Sequence, residues 1–209
     1  PENTARHSKR YSFIRSEFAS LFGEEPVRFF SAPGRTEVCG NHTDHNHGKV
    51  AAAAVNLDII AAVVPTDDGI ITVKSEGFDK IDVVDSSDMT VYDDEIDHSA
   101  ALIRGVCAGL KARGYNVGGF KAYTSSDVLK GSGLSSSAAF EVLIGEILNG
   151  LYCDGRVSAV EIAQIAQYAE NVYFGKPSGL MDQMASSIGG LINIDSVSYT
   201  HLRAHETLA

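Results

Sequence analysis

Basic residues are in short supply in this chain: 17 Lys and Arg stand against 27 Asp and Glu, a formal net charge of −10 over 209 residues. That deficit argues against a nucleic-acid or anionic-membrane surface and makes small-molecule chemistry the default, although a basic pocket can sit inside an acidic protein. Cysteine is scarcer still. Cys39, Cys107 and Cys153 are an odd number without C-x-x-C spacing, which fits a reducing cytoplasm with three thiols serving as buried small residues. Long apolar runs are also lacking. The longest, Lys49 to Pro65, is alanine-rich and interrupted by Asn56 and Asp58, so it falls short of a membrane span and reads as two strands. No charged-then-apolar signal segment opens the chain, and no repeat or low-complexity linker divides it. What remains is 44% hydrophobic and 21% charged, enough for one sizeable globular domain.

The periodicities give a mixed α+β order. Residues 1–27 read as an amphipathic helix with Tyr11, Ile14, Phe18 and Leu21 on one face, closed by Gly23 and Pro26. Strands follow in VRFFSAP, in KVAAAAV and IIAAVVP, in IITVKSE and in KIDVVD, and the TDDG between IIAAVVP and IITVKSE predicts a hairpin. Residues 98–113 place Leu102, Ile103, Val106 and Leu110 on one helical face and stop at Gly114. GFKAYTSS is the next strand. It runs into a glycine and serine loop and then a helix striped by Phe140, Leu143, Ile144, Ile147, Leu148 and Leu151, and the pair Ser158 and Glu161 opens another helix through about Val172.

Two stretches carry chemistry. In the strand-loop-helix at GSGLSSSAAFE, Gly131, Ser132, Gly133, Leu134, Ser135, Ser136 and Ser137 have the ingredients of an anion site, where glycines admit a ligand to the backbone and a helix start offers unpaired N–H groups. The loop is neither a Walker A sequence nor a Gly-x-Ser-x-Gly elbow, and taken alone it reads more readily as an ordinary serine-capped turn than as a phosphate site. The second stretch, GRTEVCGNHTDHNHG at residues 34–48, can be a metal cage, a ribbon of turns or a sugar pocket. Zinc on His42, His45 and His47 has little support, because spacings of three and two in a turn-rich segment have no companion ligands such as H-E-x-x-H.

GSGLSSSAAFE resembles the second motif of the GHMP small-molecule kinases. Residues 34–48 resemble the first motif of that family's galactokinase branch, and GKPSGLMDQMAS resembles the branch's segment with the catalytic aspartate. The three resemblances occur in the family's order and imply the GHMP kinase N-terminal fold, a mixed sheet packed with helices over residues 1–195. Within it, residues 28–58 would form the sugar-binding motif and residues 124–151 the ATP-phosphate loop and helix.

The resemblance further implies ATP-dependent phosphorylation of galactose at its C1 hydroxyl. Asp182 would accept the hydroxyl proton, Arg35 would stabilise developing charge, and Asn41, His42, Thr43 and Asp44 would hold the sugar. Ser75 and the loop from Gly131 to Ser137 would contact ATP, and Ser137 with Glu170 would ligate Mg2+. Asn41 stands where the motif has glutamate and His45 where it has tyrosine. An amide still hydrogen-bonds a hydroxyl but is shorter and uncharged, so related acceptors such as N-acetylgalactosamine or arabinose, and a non-catalytic sugar and ATP sensor, remain alternatives. The resemblance covers only the first half of such a kinase, whose second domain closes the site. Monomeric assembly is expected for the complete protein, and little activity for 209 residues alone. Residues 196–209 have no apolar period and read as a non-native, disordered tail.

Overall fold

Successive residues of a strand point to opposite faces, and in β2 (Lys49–Thr66) both sets are apolar, so the sheet must be covered on both sides. Ile59, Ala61 and Val63 join the main core with the helices, whereas Ile60 and Ala62 pack with Ile14 and Phe18 of α1 (Glu2–Phe22). β5 (Gly119–Ser126) repeats the division, with Phe120 and Ala122 on the first side and Tyr123 on the second. The result is a seven-stranded mixed sheet between α1 and a layer of helices. The computed structural model describes residues 2–24, 26–41, 48–195 and 203–204.

The sheet order is β4-β3-β5-β2-β6-β7, with β1 (Arg28–Cys39) also on β2. β3 (Ile70–Ser75) runs parallel to β5 and antiparallel to β4 (Ile81–Asp85), and every other pairing is antiparallel. The helical layer comprises α2 (Ser99–Ala112), α3 (Ser136–Tyr152), α4 (Ala159–Tyr168) and α5 (Met181–Ile188). β6 (Leu191–Asp195) returns the chain to β2. The helix starting at Ser158 forms with both bonds of its capping box in place.

Five expectations are corrected. The Lys49–Pro65 run is one strand rather than two: Asn56 and Asp58 mark the point where β2 exchanges β6 (residues 49–53) for β5 (residues 59–66). TDDG does not close a hairpin, because β5 lies between β2 and β3. There the Asp68 carboxylate accepts from the Thr66 hydroxyl and the Ile70 N–H, which turns the chain without pairing its flanks. Cys39 is exposed at the end of β1, while Cys107 and Cys153 are buried, and burial pushes the Cys107 thiol up to about 12. Leu21 is exposed, since the α1 face turns Phe22 to the sheet instead. Within the expected tail, Arg203–Ala204 form β7 and pair with Asn193 and Ile192, so these two positions join the sheet; the rest of 196–209 lies outside the described residues.

α4 continues through a five-residue π turn, Ala169–Tyr173, against which α2 packs closely. A Cβ on Gly105 would come within 2.6 Å of the Ala169 Cβ and 2.7 Å of its Cα. Gly105→Ala should therefore destabilise the fold by about 1–3 kcal/mol through overpacking, read as a lowered thermal midpoint. An unchanged midpoint would mean that the helix and the turn are not in this contact.

Candidate active site

The site begins with an irregularity in β1. Its register against β2 jumps between Pro33 (opposite Asp58) and Arg35 (opposite Ala54), and at the jump the Arg35 N–H donates to the Leu134 carbonyl at 3.1 Å. Gly34 makes that approach possible, because a Cβ there would stand 3.0 Å from the Leu134 oxygen. The bulge delivers the buried Arg35 side chain to α5. Its Nε and Nη2 donate to the two oxygens of Asp182 at 2.6 and 2.7 Å, and Nη1 donates to the Gly133 carbonyl at 2.6 Å. Ser135, in the left-handed region at φ 57°, donates its hydroxyl to Asp182 Oδ2. The residues proposed as base and stabiliser thus meet across 147 positions of sequence, and both touch the glycine-serine loop.

Because the Ser135 hydroxyl is committed to Asp182, no side chain caps the start of α3. Gly131 and Gly133 have φ of 80° and 78°, with open space where a Cβ would be. Such a loop can lay backbone N–H groups against an anion at the helix start. Beside it lies a cleft of about 980 Å3 whose wall includes Ser75, Thr124, Leu129, Lys130, Ser136 and Ser137. Ser75 accepts a 2.9 Å hydrogen bond from Thr124, which fixes its hydroxyl at the cleft.

Behind Ser136 and Ser137 is a buried network. The π turn rotates Glu170 inward to 1% exposure. Its Oε1 accepts from Ser137 Oγ at 2.9 Å and Lys176 Nζ at 3.0 Å, and its Oε2 accepts from Gln183 Nε2 at 2.7 Å. The same Gln183 nitrogen donates to Glu141 Oε2 at 3.2 Å, so one amide bridges two carboxyl groups. Glu141 and Gln183 are both fully buried. Burial, followed by the nearby charge of Glu170, pushes the Glu141 carboxyl well above its ordinary range, and the Gln183 hydrogen bond only partly opposes this.

Of the sequence-named sugar residues, only Asn41 is described; it is exposed, with φ 57° after Gly40. His42, Thr43 and Asp44 lie outside the described residues, as do His45 and His47 of the metal reading. No group of three or more His, Cys, Asp or Glu among the described residues is arranged to hold a metal. Sequence reasoning overlooked Ser135 as a partner of Asp182, and also Glu141, Gln183 and Lys176. A glutamate at position 141, amid the apolar face Phe140, Leu143 and Ile144, was the available signal for one of them.

The network makes a pH-dependent prediction. A carboxyl whose folded pKa lies above its unfolded value stabilises the fold at low pH and loses that contribution as pH rises past the unfolded pKa. Glu141→Gln keeps an oxygen for Gln183 and cannot ionise. Its thermal midpoint relative to the parent should rise steadily from pH 5 to pH 8, and a pH-independent difference would rule out a protonated Glu141.

Comparison with known proteins agrees with this construction. Residues 16–65 match the galactokinase galactose-binding signature, and residues 101–190 match the N-terminal domain of GHMP kinases. The galactokinase of Bacillus subtilis is 37% identical over 195 residues, covering 90% of this chain and 50% of the relative; that of Streptomyces coelicolor is 38% identical over 177 residues, covering 83% and 44%. The chain therefore spans about half the length of the curated relatives it matches. The crystal structure of Lactococcus lactis galactokinase complexed with galactose superposes with a TM-score of 0.84 at 30% identity, over 92% of this chain and 51% of that one. Methanococcus jannaschii mevalonate kinase shares the fold, with a TM-score of 0.71 at 16% identity over 88% and 57%. The chain thus carries a galactokinase galactose-binding signature followed by a GHMP kinase N-terminal domain, on a fold that agrees with both, and it is similar to the N-terminal half of galactokinases.

Proposed function

We propose that this chain is the substrate-binding half of an ATP-dependent sugar 1-kinase whose acceptor is galactose, residues 1–195 forming its N-terminal domain. The observation that carries the reading is the Arg35–Asp182 pair set directly against a glycine-serine loop at an uncapped helix start. A proton acceptor beside an anion site is what transfer of a phosphoryl group to a hydroxyl requires. The galactose bound in the Lactococcus lactis relative supports the choice of acceptor.

In this mechanism the C1 oxygen of the sugar attacks the terminal phosphorus of ATP. The new C1 oxygen to phosphorus bond forms as the bond to the bridging oxygen breaks, ADP departs, and the hydroxyl proton passes to Asp182. A carboxylate has about four acceptor positions. Arg35 and Ser135 occupy three at Asp182, which leaves room for the incoming hydroxyl. The bidentate Arg35 fork fixes the carboxylate's orientation, and the Gly133 carbonyl fixes the fork. The loop from Gly131 to Ser137 would receive the phosphates, and Ser75, also on the cleft wall, would contact the nucleotide. Asn41, His42, Thr43 and Asp44 would hold the sugar hydroxyls.

Ser137 and Glu170 would hold Mg2+. They offer one hydroxyl, on the cleft wall, and one buried carboxylate oxygen 2.9 Å from it. Magnesium takes few protein oxygens and completes its shell with phosphate and water, so the donor set fits. When bound, the ion would neutralise charge on the transferring phosphate.

The test is a phosphorylation assay of the full-length protein against a panel of monosaccharides with ATP and magnesium. Galactose should be the preferred acceptor. ATP binding without turnover on any sugar would indicate a sensor, and preference for another sugar would shift the acceptor. In that protein Asp182→Asn should lower kcat by about 10²–10⁴-fold with the KM for ATP little changed, because an amide cannot accept the proton. Full turnover in the variant would remove Asp182 from the role of base.

A further inference from the structure

We propose that Lys176 is a built-in counter-cation of the Ser137–Glu170 pair: its ammonium occupies the shared oxygen before a divalent ion arrives and must leave it when the ion binds. The inference rests on the reading of Ser137 and Glu170 as metal ligands.

Three observations point to it. First, the Glu170 side chain is only 2% exposed, and Lys176, at 3.0 Å, is the cation that pairs with it. A buried carboxylate needs such compensation. Second, Lys176 contacts Oε1, the same oxygen that Ser137 engages, and not Oε2, which Gln183 holds. An ion bridging Ser137 and Glu170 would need that oxygen, and a second positive charge could not share it. Third, the lysine is placed to hold and to release. Gly175 (φ 81°) turns the chain back over the π turn, and the Lys176 N–H donates to the Glu170 carbonyl at 3.1 Å, so the backbone is fixed. The side chain is nonetheless 57% exposed, on a flexible four-carbon stem that can swing its head into water.

Lys176 thus keeps Glu170 inward and compensated in the metal-free protein, and raises the metal concentration needed to fill the site.

Binding of Mn2+ to the 209-residue chain, followed by the electron paramagnetic resonance of the free ion with a non-hydrolysable ATP analogue present, tests this without turnover. Lys176→Met should bind Mn2+ about fivefold more tightly than the parent, the gain expected from removing a competing, partly exposed ion pair. Lys176→Arg should stay near the parent, and Glu170→Gln should lose the site. Lys176→Gln, with thermal midpoints recorded for every variant, replaces Lys176→Met should the latter not fold. If Glu170→Gln abolishes binding while both neutral Lys176 variants bind as the parent does or more weakly, the counter-cation role is overturned. If Glu170→Gln binds as the parent does, or no protein binds Mn2+, the metal pair itself falls and this inference falls with it.

Discussion

An arginine on β1 and an aspartate on α5, 147 residues apart in sequence, are tied by two hydrogen bonds of 2.6 and 2.7 Å, and the site depends on that fork. The arginine reaches α5 only because β1 breaks register at Gly34, and the aspartate faces it only because α5 starts next to the loop before α3. With Arg35 buried, removing Asp182 would leave a guanidinium short of its partner, so the pair fixes where β1, the loop and α5 sit relative to one another. The third guanidinium nitrogen, held by the Gly133 carbonyl, extends the constraint into the loop.

A second constraint lies one turn deeper. Glu141 and Glu170 are carboxyl groups without solvent in a layer built mainly of Ile, Leu, Val and Ala. Two like charges there would repel at low effective dielectric, and the conflict is resolved by treating the two differently. Glu170 receives an ammonium, a hydroxyl and an amide, whereas Glu141 receives one amide bond and its burial favours the protonated form. One oxygen of Glu141 and the amide oxygen of Gln183 have no hydrogen-bond partner among the described residues, a cost that apolar residues at these positions would avoid.

The sequence carried the local parts of this arrangement well. The stripe on α3, the capping box of α4 and the loop glycines followed from period and residue type, and the distant pair Arg35 and Asp182 came from motif resemblance, because spacing carries no information across 147 residues. What failed was sheet order. TDDG has the chemistry of a tight turn, but whether its flanking strands pair depends on where β5 inserts, and β5 lies more than forty residues further along. The breaks at Asn56 and Asp58 were misread for a related reason: a long strand can carry polar residues where it exchanges neighbours. The buried amide bridge was invisible, since Gln183 beside Asp182 looks like any polar residue in the first turn of a helix.

Consecutive residues of a helix project about 100° apart, and α5 uses that angle to serve both parts of the site. Asp182 turns toward Arg35 and Ser135, and Gln183 turns toward Glu141 and Glu170. The candidate proton acceptor and the brace behind the candidate metal ligand are therefore one peptide unit apart and cannot move independently. α5 is itself held by Met181, Met184 and Ala185, which pack with Ala163 of α4 and with Val50 and Ala52 of β2. That apolar contact sets the helix rotation, and the rotation sets both polar contacts at once. Core packing in this region thus bears directly on the chemistry: a rotation of α5 too small to expose any apolar surface would still lengthen the Arg35–Asp182 fork and the Gln183–Glu170 bond together.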